Sequence, residues 1–180
     1  MKQEYIITVF SENHIGLLGR ITIIFTRRKI NLDSLTVSES AISGVFKFTI
    51  VINETADRVE KVVGQLEKIV DVLKVFANTN DEMIYQEIAL YKVSTEFLFD
   101  SDKIEKIVRD SGARILEITR EYVVIEKTGH SDETQLLFEE LNPYGVTQFI
   151  RSGRVAITRS NIERLSEFLK ERDAMLEQVD

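Results

Sequence analysis

Residues 5–28 constrain the fold most strongly, because an apolar strand is followed directly by a polar turn and an amphipathic helix. The predicted strand, residues 5–10, stops at the polar segment 11–15. Gly16 then opens a helix predicted to reach Arg28, in which apolar residues recur at helical spacing. This order favours a mixed α and β domain with a turn exposed at one end of its sheet.

The turn carries groups that suit a small zwitterionic ligand. The first N–H groups of a helix lack acceptors inside the helix, and the helix dipole favours an anion such as a carboxylate there. Asn13 has a side-chain amide that can both donate and accept, and Gly16 has no Cβ to keep a ligand away from the backbone. The turn therefore predicts a site for a free amino acid. The alternative is that Asn13 only caps the helix and Gly16 only makes the turn.

The elements that follow extend the pattern to βαββαβ. Strands are predicted at residues 32–39, 45–52 and 72–77, and Thr55 is placed to cap an amphipathic helix between the last two. A ferredoxin-like unit results, with a four-stranded antiparallel sheet and both helices on one face. The other face or an edge of the sheet is left for pairing.

The same order repeats after the polar segment 78–82, which is interpreted as a domain boundary. A second ferredoxin-like unit is predicted from four strands and two helices, namely strands 87–94, 114–118, 122–126 and 146–150 and helices 101–111 and 131–141. The only proline marks a turn at Asn142-Pro143-Tyr144-Gly145. The order of elements repeats without a repeat in sequence, so the similarity is architectural.

The predicted organisation is therefore α+β, with two ferredoxin-like domains in tandem and a C-terminal helix. We place the first domain at residues 1–79, the second at 80–159 and a helical extension at 160–180. Ser160 and Glu163 have capping-box spacing at the start of that extension. Its apolar stripe fits packing on its own domain and packing on a partner chain equally well.

Composition and charge exclude several classes of protein. The chain has 180 residues, 43% of them hydrophobic, which is enough for two small cores. There is no cysteine and no long apolar run, so we expect a soluble cytoplasmic protein without disulfides or contact with a membrane. The net charge of −7, with the acid excess in the second half, disfavours nucleic acid as a partner.

Residues with catalytic spacing are missing from the sequence. His14 and His130 lack a neighbouring histidine or cysteine at metal-ligand spacing. A nucleophile elbow, a P-loop and a dinucleotide-binding glycine motif are all missing too. We expect no catalytic residue, no metal site and no cofactor in this chain.

Several motifs carry a specific resemblance to one family. Two of them surround the predicted loop: Glu12-Asn13-x-x-Gly16-x-Leu18-x-Arg20-Ile21 and Phe25-x-x-Arg28-x-Ile30-Asn31-Leu32-Asp33-Ser34-Leu35-Thr36-Val37. Others follow in order: Asp71-Val72-Leu73-Lys74-Val75, Thr128-Gly129, Leu141-x-Pro143-x-Gly145-Val146 and Arg151-Ser152-Gly153-Arg154-Val155-Ala156-Ile157. The chain resembles the regulatory (small) subunit of acetolactate synthase, also called acetohydroxyacid synthase, whose N-terminal half is an ACT domain.

This resemblance implies a regulator in branched-chain amino acid biosynthesis. Such a subunit forms a homodimer or a larger assembly and associates with a catalytic subunit that carries thiamine diphosphate, Mg²⁺ and FAD. It would raise acetolactate formation from pyruvate and confer feedback inhibition by valine. The implied effector site lies where two ACT domains meet, with Asn13 and the backbone at Gly16 and Leu17 from one chain and Asn31 and Leu32 from the other.

One position departs from the family pattern. The family usually has glycine where this chain has Lys29, so the end of the first helix and the orientation of Asn31 are in question. Leucine, isoleucine or no effector at all are the alternatives to valine. Two other classes also stay open, namely a free-standing amino-acid-sensing ACT regulator and, with less support, an enzyme on a ferredoxin-like scaffold.

Overall fold

A computed structural model describes residues 1–97, 103–162 and 164–177. By their contacts these residues form two compact units, one made of residues 1–84 with the described part of 156–180 and the other of residues 85–155. Each unit contains an antiparallel sheet with two helices, so the predicted tandem of ferredoxin-like folds with a C-terminal helix is confirmed. The domain boundaries at 79/80 and 159/160 stay predictions.

The first unit is built from alternating strands and helices around one sheet. Its elements are β1 (Gln3–Glu12), α1 (Leu17–Arg27), β2 (Ser34–Glu39), β3 (Val45–Glu54), α2 (Ala56–Leu66) and β4 (Val72–Thr79). The strands lie in the order β2-β3-β1-β4, and every pair is antiparallel. Side chains alternate between the two faces of a strand, so Ile7 and Val9 face the helices and pack with Ile21 and Val62 in the core.

The second unit has the same plan. Its elements continue as β5 (Met83–Ser94), α3 (Lys103–Asp110), β6 (Arg114–Ile118), β7 (Tyr122–Gly129), α4 (Ser131–Leu141) and β8 (Val146–Arg151), and its sheet order is β6-β7-β5-β8. A further strand, β9 (Val155–Thr158), pairs with β5, and its residues from Ala156 onward belong to the first unit, as do the first two residues of β5. The sequence did not predict β9, because its first three residues form an apolar run without a two-residue period. Residues 101 and 102 of the predicted third helix lie outside the described residues.

A buried tyrosine fixes α4 against this second sheet. The Tyr91 hydroxyl donates a 2.6 Å hydrogen bond to the carbonyl oxygen of Thr134, which lies on α4. Burial raises the pKa of Tyr91 to about 12, so its hydroxyl stays a donor at any physiological pH. The short 3₁₀ turn Asn142–Tyr144 then leads into β8 through Gly145 at φ +77°, as the proline motif predicted.

The C-terminal helix α5 (Arg164–Glu177) packs on the first unit. Leu165 is 1% exposed and lies in one cluster with Phe10 and Val45, while Phe168 and Leu169 pack against that cluster. Of the two alternatives, packing on its own domain is therefore the one observed. The predicted helix began at Ser160; the observed one begins at Arg164, and Glu163 and residues 178–180 lie outside the described residues. No helix of the described residues is long and apolar enough to cross a membrane.

Lys29 adopts the left-handed conformation that glycine favours, with φ of +53°. The Lys29 N–H donates to the Thr26 carbonyl, and the Ile30 N–H donates to the Phe25 carbonyl, each over 3.0 Å. These two bonds form a Schellman motif, and Ile30 packs beside Phe25 as that motif requires. The expectation that the lysine sets the helix end differently is therefore wrong.

Lys29→Gly should raise the free energy of unfolding by about 1 kcal/mol. The left-handed conformation costs a residue with a Cβ about 1–2 kcal/mol, and glycine avoids this cost. Glycine also makes the unfolded chain more flexible, which offsets part of the stabilisation. Lys29→Ala is the matched control, since it removes the charge but keeps the Cβ. Urea denaturation followed by circular dichroism measures both. Equal stabilisation by alanine and glycine would assign the effect to charge.

Candidate ligand-binding site

The loop between β1 and α1 lies where the sequence predicted a turn. Gly16 is the N-cap of α1 and adopts φ +83° and ψ −3°. A Cβ built on Gly16 would meet no atom within 4 Å, so the position favours glycine for its left-handed conformation and not for lack of space. No side chain caps the helix, so the alternative in which Asn13 serves as the cap is wrong.

The first turn of α1 presents free backbone donors. The Leu17 N–H donates to the His14 carbonyl over 3.2 Å, and the Arg20 N–H donates to the Gly16 carbonyl over 3.1 Å. In the described part of the chain, no backbone carbonyl accepts a hydrogen bond from the N–H groups of Gly16, Leu18 and Gly19. The first turn also contains no acidic side chain. An anion at this helix terminus would therefore meet unpaired donors and no competing carboxylate in that turn.

A cavity of about 190 Å³ opens beside this loop. Its lining combines a polar rim with an apolar wall, formed by Glu12, Asn13, His14, Gly16, Leu17, Leu18, Val37, Phe46 and Phe48. At about 30 Å³ per water molecule, this volume holds roughly six atoms of the size of a water oxygen. The cavity thus fits a small molecule with a polar end and a short aliphatic end.

The five residues of the predicted effector site do not all lie together in one chain. Asn13, Gly16 and Leu17 line the cavity, but the Leu17 side chain is only 3% exposed and its N–H already donates to the His14 carbonyl. Asn31 and Leu32 follow the far end of α1, about 16 Å away along an 11-residue helix. Asn31 is exposed, whereas Leu32 packs against the first core. A site that uses all five residues needs two chains.

An ion-pair network holds the loop in place. The His14 Nδ1 atom lies 2.6 Å from Asp71 Oδ1, and the Arg20 guanidinium donates to the other Asp71 oxygen. The Asp71 carbonyl also accepts the Glu12 N–H over 3.0 Å. The hydrogen bond from His14, followed by that from Arg20, lowers the pKa of Asp71 below its ordinary value. Asp71 therefore connects the end of β1, the loop and the first turns of α1.

The sequence did not predict this network. Arg20 and Asp71 stand 51 residues apart, and only contacts between distant elements bring them together. The one available signal was that both residues fall within motifs of the family resemblance.

The ligand atoms of Glu12, His14 and Asp71 all lie within 4.8 Å of one another, which is close enough to share a cation. Arg20 already neutralises Asp71, however, so we interpret the cluster as an ion-pair network.

Asp71→Asn should destabilise the protein at neutral pH, and the difference should vanish in acid. The pKa of Asp71 is lowered on folding, so its stabilising contribution is present above the unfolded pKa of about 3.9 and is lost as the pH falls through the lower folded value. Urea denaturation of both proteins between pH 7 and pH 3 measures this. A difference that stays constant down to pH 3 would contradict the role given to the carboxylate.

Apolar side chains are exposed around α1 and the edge strand β2. Ile15 is fully exposed, and Leu18, Ile23 and Val37 are between 41% and 48% exposed. β2 pairs only with β3 in the sheet of the first unit, so its other edge offers unpaired backbone groups. Such a combination is typical of a surface that another protein chain covers.

The fold and the loop together define an ACT-type domain followed by a second ferredoxin-like domain. Two family profiles match in the same order: "AHAS small subunit-like ACT domain" over residues 7–74 and "Small subunit of acetolactate synthase" over residues 86–160. The chain belongs to the acetolactate synthase small-subunit family. The resemblance found in the sequence motifs is thereby confirmed.

The relatives of this chain are acetolactate synthase small subunits, and the similarity covers most of their length. The acetolactate synthase small subunit of Bacillus subtilis is 35% identical over 162 residues, which cover 89% of this chain and 94% of that protein. The corresponding subunit of Aquifex aeolicus is 31% identical, over 87% of this chain and 82% of that protein. The crystal structure of the Thermotoga maritima small subunit matches with a TM-score of 0.80 at 28% identity, covering 89% of this chain and 99% of that one.

Proposed function

We propose that this chain activates the catalytic subunit of an acetolactate synthase and lowers that activity when valine is bound. In this proposal residues 1–79 bind the effector and form the dimer, residues 80–159 form the second domain, and residues 160–180 are an extension. The relatives support the assignment by their names and by their full-length similarity. The catalytic partner would carry thiamine diphosphate, Mg²⁺ and FAD, and this chain would carry no cofactor.

The observation that carries the effector assignment is the set of unpaired N–H groups beside the apolar cavity. A valine carboxylate would accept hydrogen bonds from the backbone at Gly16, Leu18 and Gly19. The Asn13 side-chain oxygen would accept a hydrogen bond from the ammonium group. The isopropyl group would then lie against Val37 and Phe46, which line the same cavity.

The exposed apolar surface around α1 and β2 supports a dimer that completes this site. Pairing two chains through this surface would cover Leu18 and Val37 and place Asn31 and Leu32 of one chain near Asn13 of the other. A ligand at such an interface stabilises one arrangement of the two chains over another. Coupling of about 1–3 kcal/mol is typical of such regulation and changes activity or affinity 5- to 150-fold.

The proposal is tested by measuring acetolactate formation by the purified catalytic subunit, with and without this chain, across a valine titration. Activation by the chain together with inhibition by valine supports both parts. Activation without inhibition would contradict the effector site alone and leave the subunit assignment in place. No activation and no co-purification of a catalytic subunit would favour the free-standing ACT regulator. Turnover by the isolated chain would favour an enzyme.

Two variants distinguish a site shared between chains from a site within one chain. Asn13→Ala and Asn31→Ala should each abolish valine inhibition when expressed alone. A mixed dimer of the two variants regains one intact site only if Asn13 and Asn31 come from different chains, so valine inhibition should return in part. A mixture of wild type with the Asn13→Ala/Asn31→Ala double variant is the control, because its mixed dimers contain no intact shared site. Failure of the two single variants to complement would contradict the shared site.

A further inference from the structure

A second cavity, of about 290 Å³, lies on the opposite face of the first sheet. Thr8 and Phe10 on β1 and Phe76 on β4 line it, and these residues alternate with Ile7, Val9 and Val75, which face α1 and α2. Residues within 157–162, among them Ile157, and Arg164 at the start of α5 close it from the other side. The cavity is therefore separated from the loop site by the thickness of the sheet.

The walls of this cavity are mainly apolar. Phe10, Phe76 and Met83 lie on the side of the sheet, and Ile157 and Ile162 lie on the side of the closing segment. Phe10 and Phe76 meet edge to face with ring centroids 6.2 Å apart. At about 30 Å³ per water molecule, the volume holds roughly ten non-hydrogen atoms, which is the size of a small aromatic or branched organic molecule.

Two cationic side chains stand at the same cavity. The Lys47 ammonium group donates to the carbonyl of Ala156, and the Arg164 guanidinium lies 5.6 Å from the centroid of the Phe76 ring. Arg164 is also the first residue of the 14-residue helix α5, whose N-terminus adds positive potential. Glu82 lies close enough to Arg164 to interact with it, but no acidic side chain of the described residues lines the cavity itself.

A buried polar group at the cavity wall lacks a donor. Asn78 is 2% exposed, and its Nδ2 group donates to Glu82 Oε2 over 3.0 Å. The Oδ1 atom of the same side chain is buried and accepts no hydrogen bond from the described residues. Such a group costs free energy unless a donor satisfies it, and a water molecule bound beside the carboxylate of a ligand can be that donor.

We propose that this cavity is a second ligand site, which takes a small organic anion: a carboxylate on an aromatic or branched apolar body of about ten non-hydrogen atoms. The carboxylate pairs with Lys47 and Arg164, and the apolar body lies between Phe76 and Ile157. The proposal is independent of the valine site and of any catalytic partner, because every residue that it uses lies on the far face of the sheet.

Methyl NMR of the full chain with 3-phenylpropanoate as the probe tests the proposal directly. We expect saturable shifts of the Met83, Ile157 and Ile162 methyl signals, without shifts of Ile15 or Leu18 at the loop. The neutral 3-phenylpropanamide should bind about tenfold more weakly, as expected for the loss of hydrogen bonds to a charged group. Equal binding of the acid, the amide and 3-phenylpropylamine would overturn the proposal, as would shifts confined to the loop.

Two matched variants separate occupancy of the cavity from a general change in the protein. Ile157→Trp should block the cavity and abolish the shifts of Met83 and Ile162, because Ile157 is 61% exposed at its edge and a larger side chain fits there without disturbing a core. Ile150→Trp, at a 65% exposed position that does not line the cavity, should leave binding unchanged. Arg164→Gln should reduce binding of the acid to the level of the amide. Unchanged binding by Ile157→Trp would overturn the site.

Discussion

Acetolactate synthase assembled with the Gly16→Asp chain should be insensitive to valine, while its activity without valine stays close to that of the wild-type assembly. The new carboxylate would stand where the valine carboxylate is proposed to accept hydrogen bonds, so like charges would repel at the helix terminus. Nothing lies within 4 Å of a Cβ at Gly16, so the Cβ fits there and the backbone cost of the variant comes from the left-handed conformation. That cost is about 1–2 kcal/mol.

Gly112→Asp is the matched control for this variant. Gly112 also adopts a left-handed backbone, at φ +66°, and lies in the second unit. The Gly112→Asp variant therefore introduces the same charge and a similar backbone strain away from the loop, and valine inhibition should persist. Asn13→Ala should likewise abolish valine inhibition, since it removes the acceptor for the charged ammonium group of the ligand. Inhibition of the Gly16→Asp assembly at wild-type valine concentrations would refute the loop as the effector site.

Arg154→Met should destabilise the second unit by about 3–5 kcal/mol, because it leaves the Glu87 carboxylate buried without its partner. The Arg154 Nε group donates to Glu87 Oε1 over 3.0 Å, and the two side chains are 8% and 9% exposed. The Arg154 guanidinium also lies 4.2 Å from the centroid of the Tyr85 ring, which packs at a tilt of 33° against the His130 ring at the start of α4. Losing the guanidinium thus removes both an ion pair and a packing surface.

Two further variants show whether the unpaired charge is the cause. The double variant Arg154→Met/Glu87→Leu should recover much of the lost stability, because it removes the stranded carboxylate as well. Arg114→Met is the control for a weaker pair: Arg114 is 75% exposed, and Thr128 still donates to Glu126 over 2.6 Å, so the loss should stay below about 1 kcal/mol. Hydrogen exchange within residues 85–155 measures these effects in the second unit. A double variant no more stable than Arg154→Met would contradict the argument.

The sequence alone predicted the order of the helices and strands other than β9, together with the position of the loop. The spacing of apolar residues predicted β6 and α4 with their observed bounds. The same kind of pattern predicted α1 to within one residue at each end. Gly16 was identified as the start of α1 because apolar residues recur at helical spacing directly after it. These features depend on residues that are close together in the sequence, so the sequence alone is enough to predict them.

Contacts between residues far apart in the sequence follow from how whole elements pack. Asp71 holds the loop through Arg20, Arg154 pairs with Glu87, and α5 covers the open face of the first sheet through Leu165. Each contact joins residues at least 51 positions apart, and many pairings of such residues satisfy the same periodicity. The surrounding structure also sets the backbone of Lys29. The hydrogen bonds at the helix end and the packing of Ile30 outweigh the preference of lysine for a negative φ. Local periods specify the elements, whereas the packing of whole elements selects their partners.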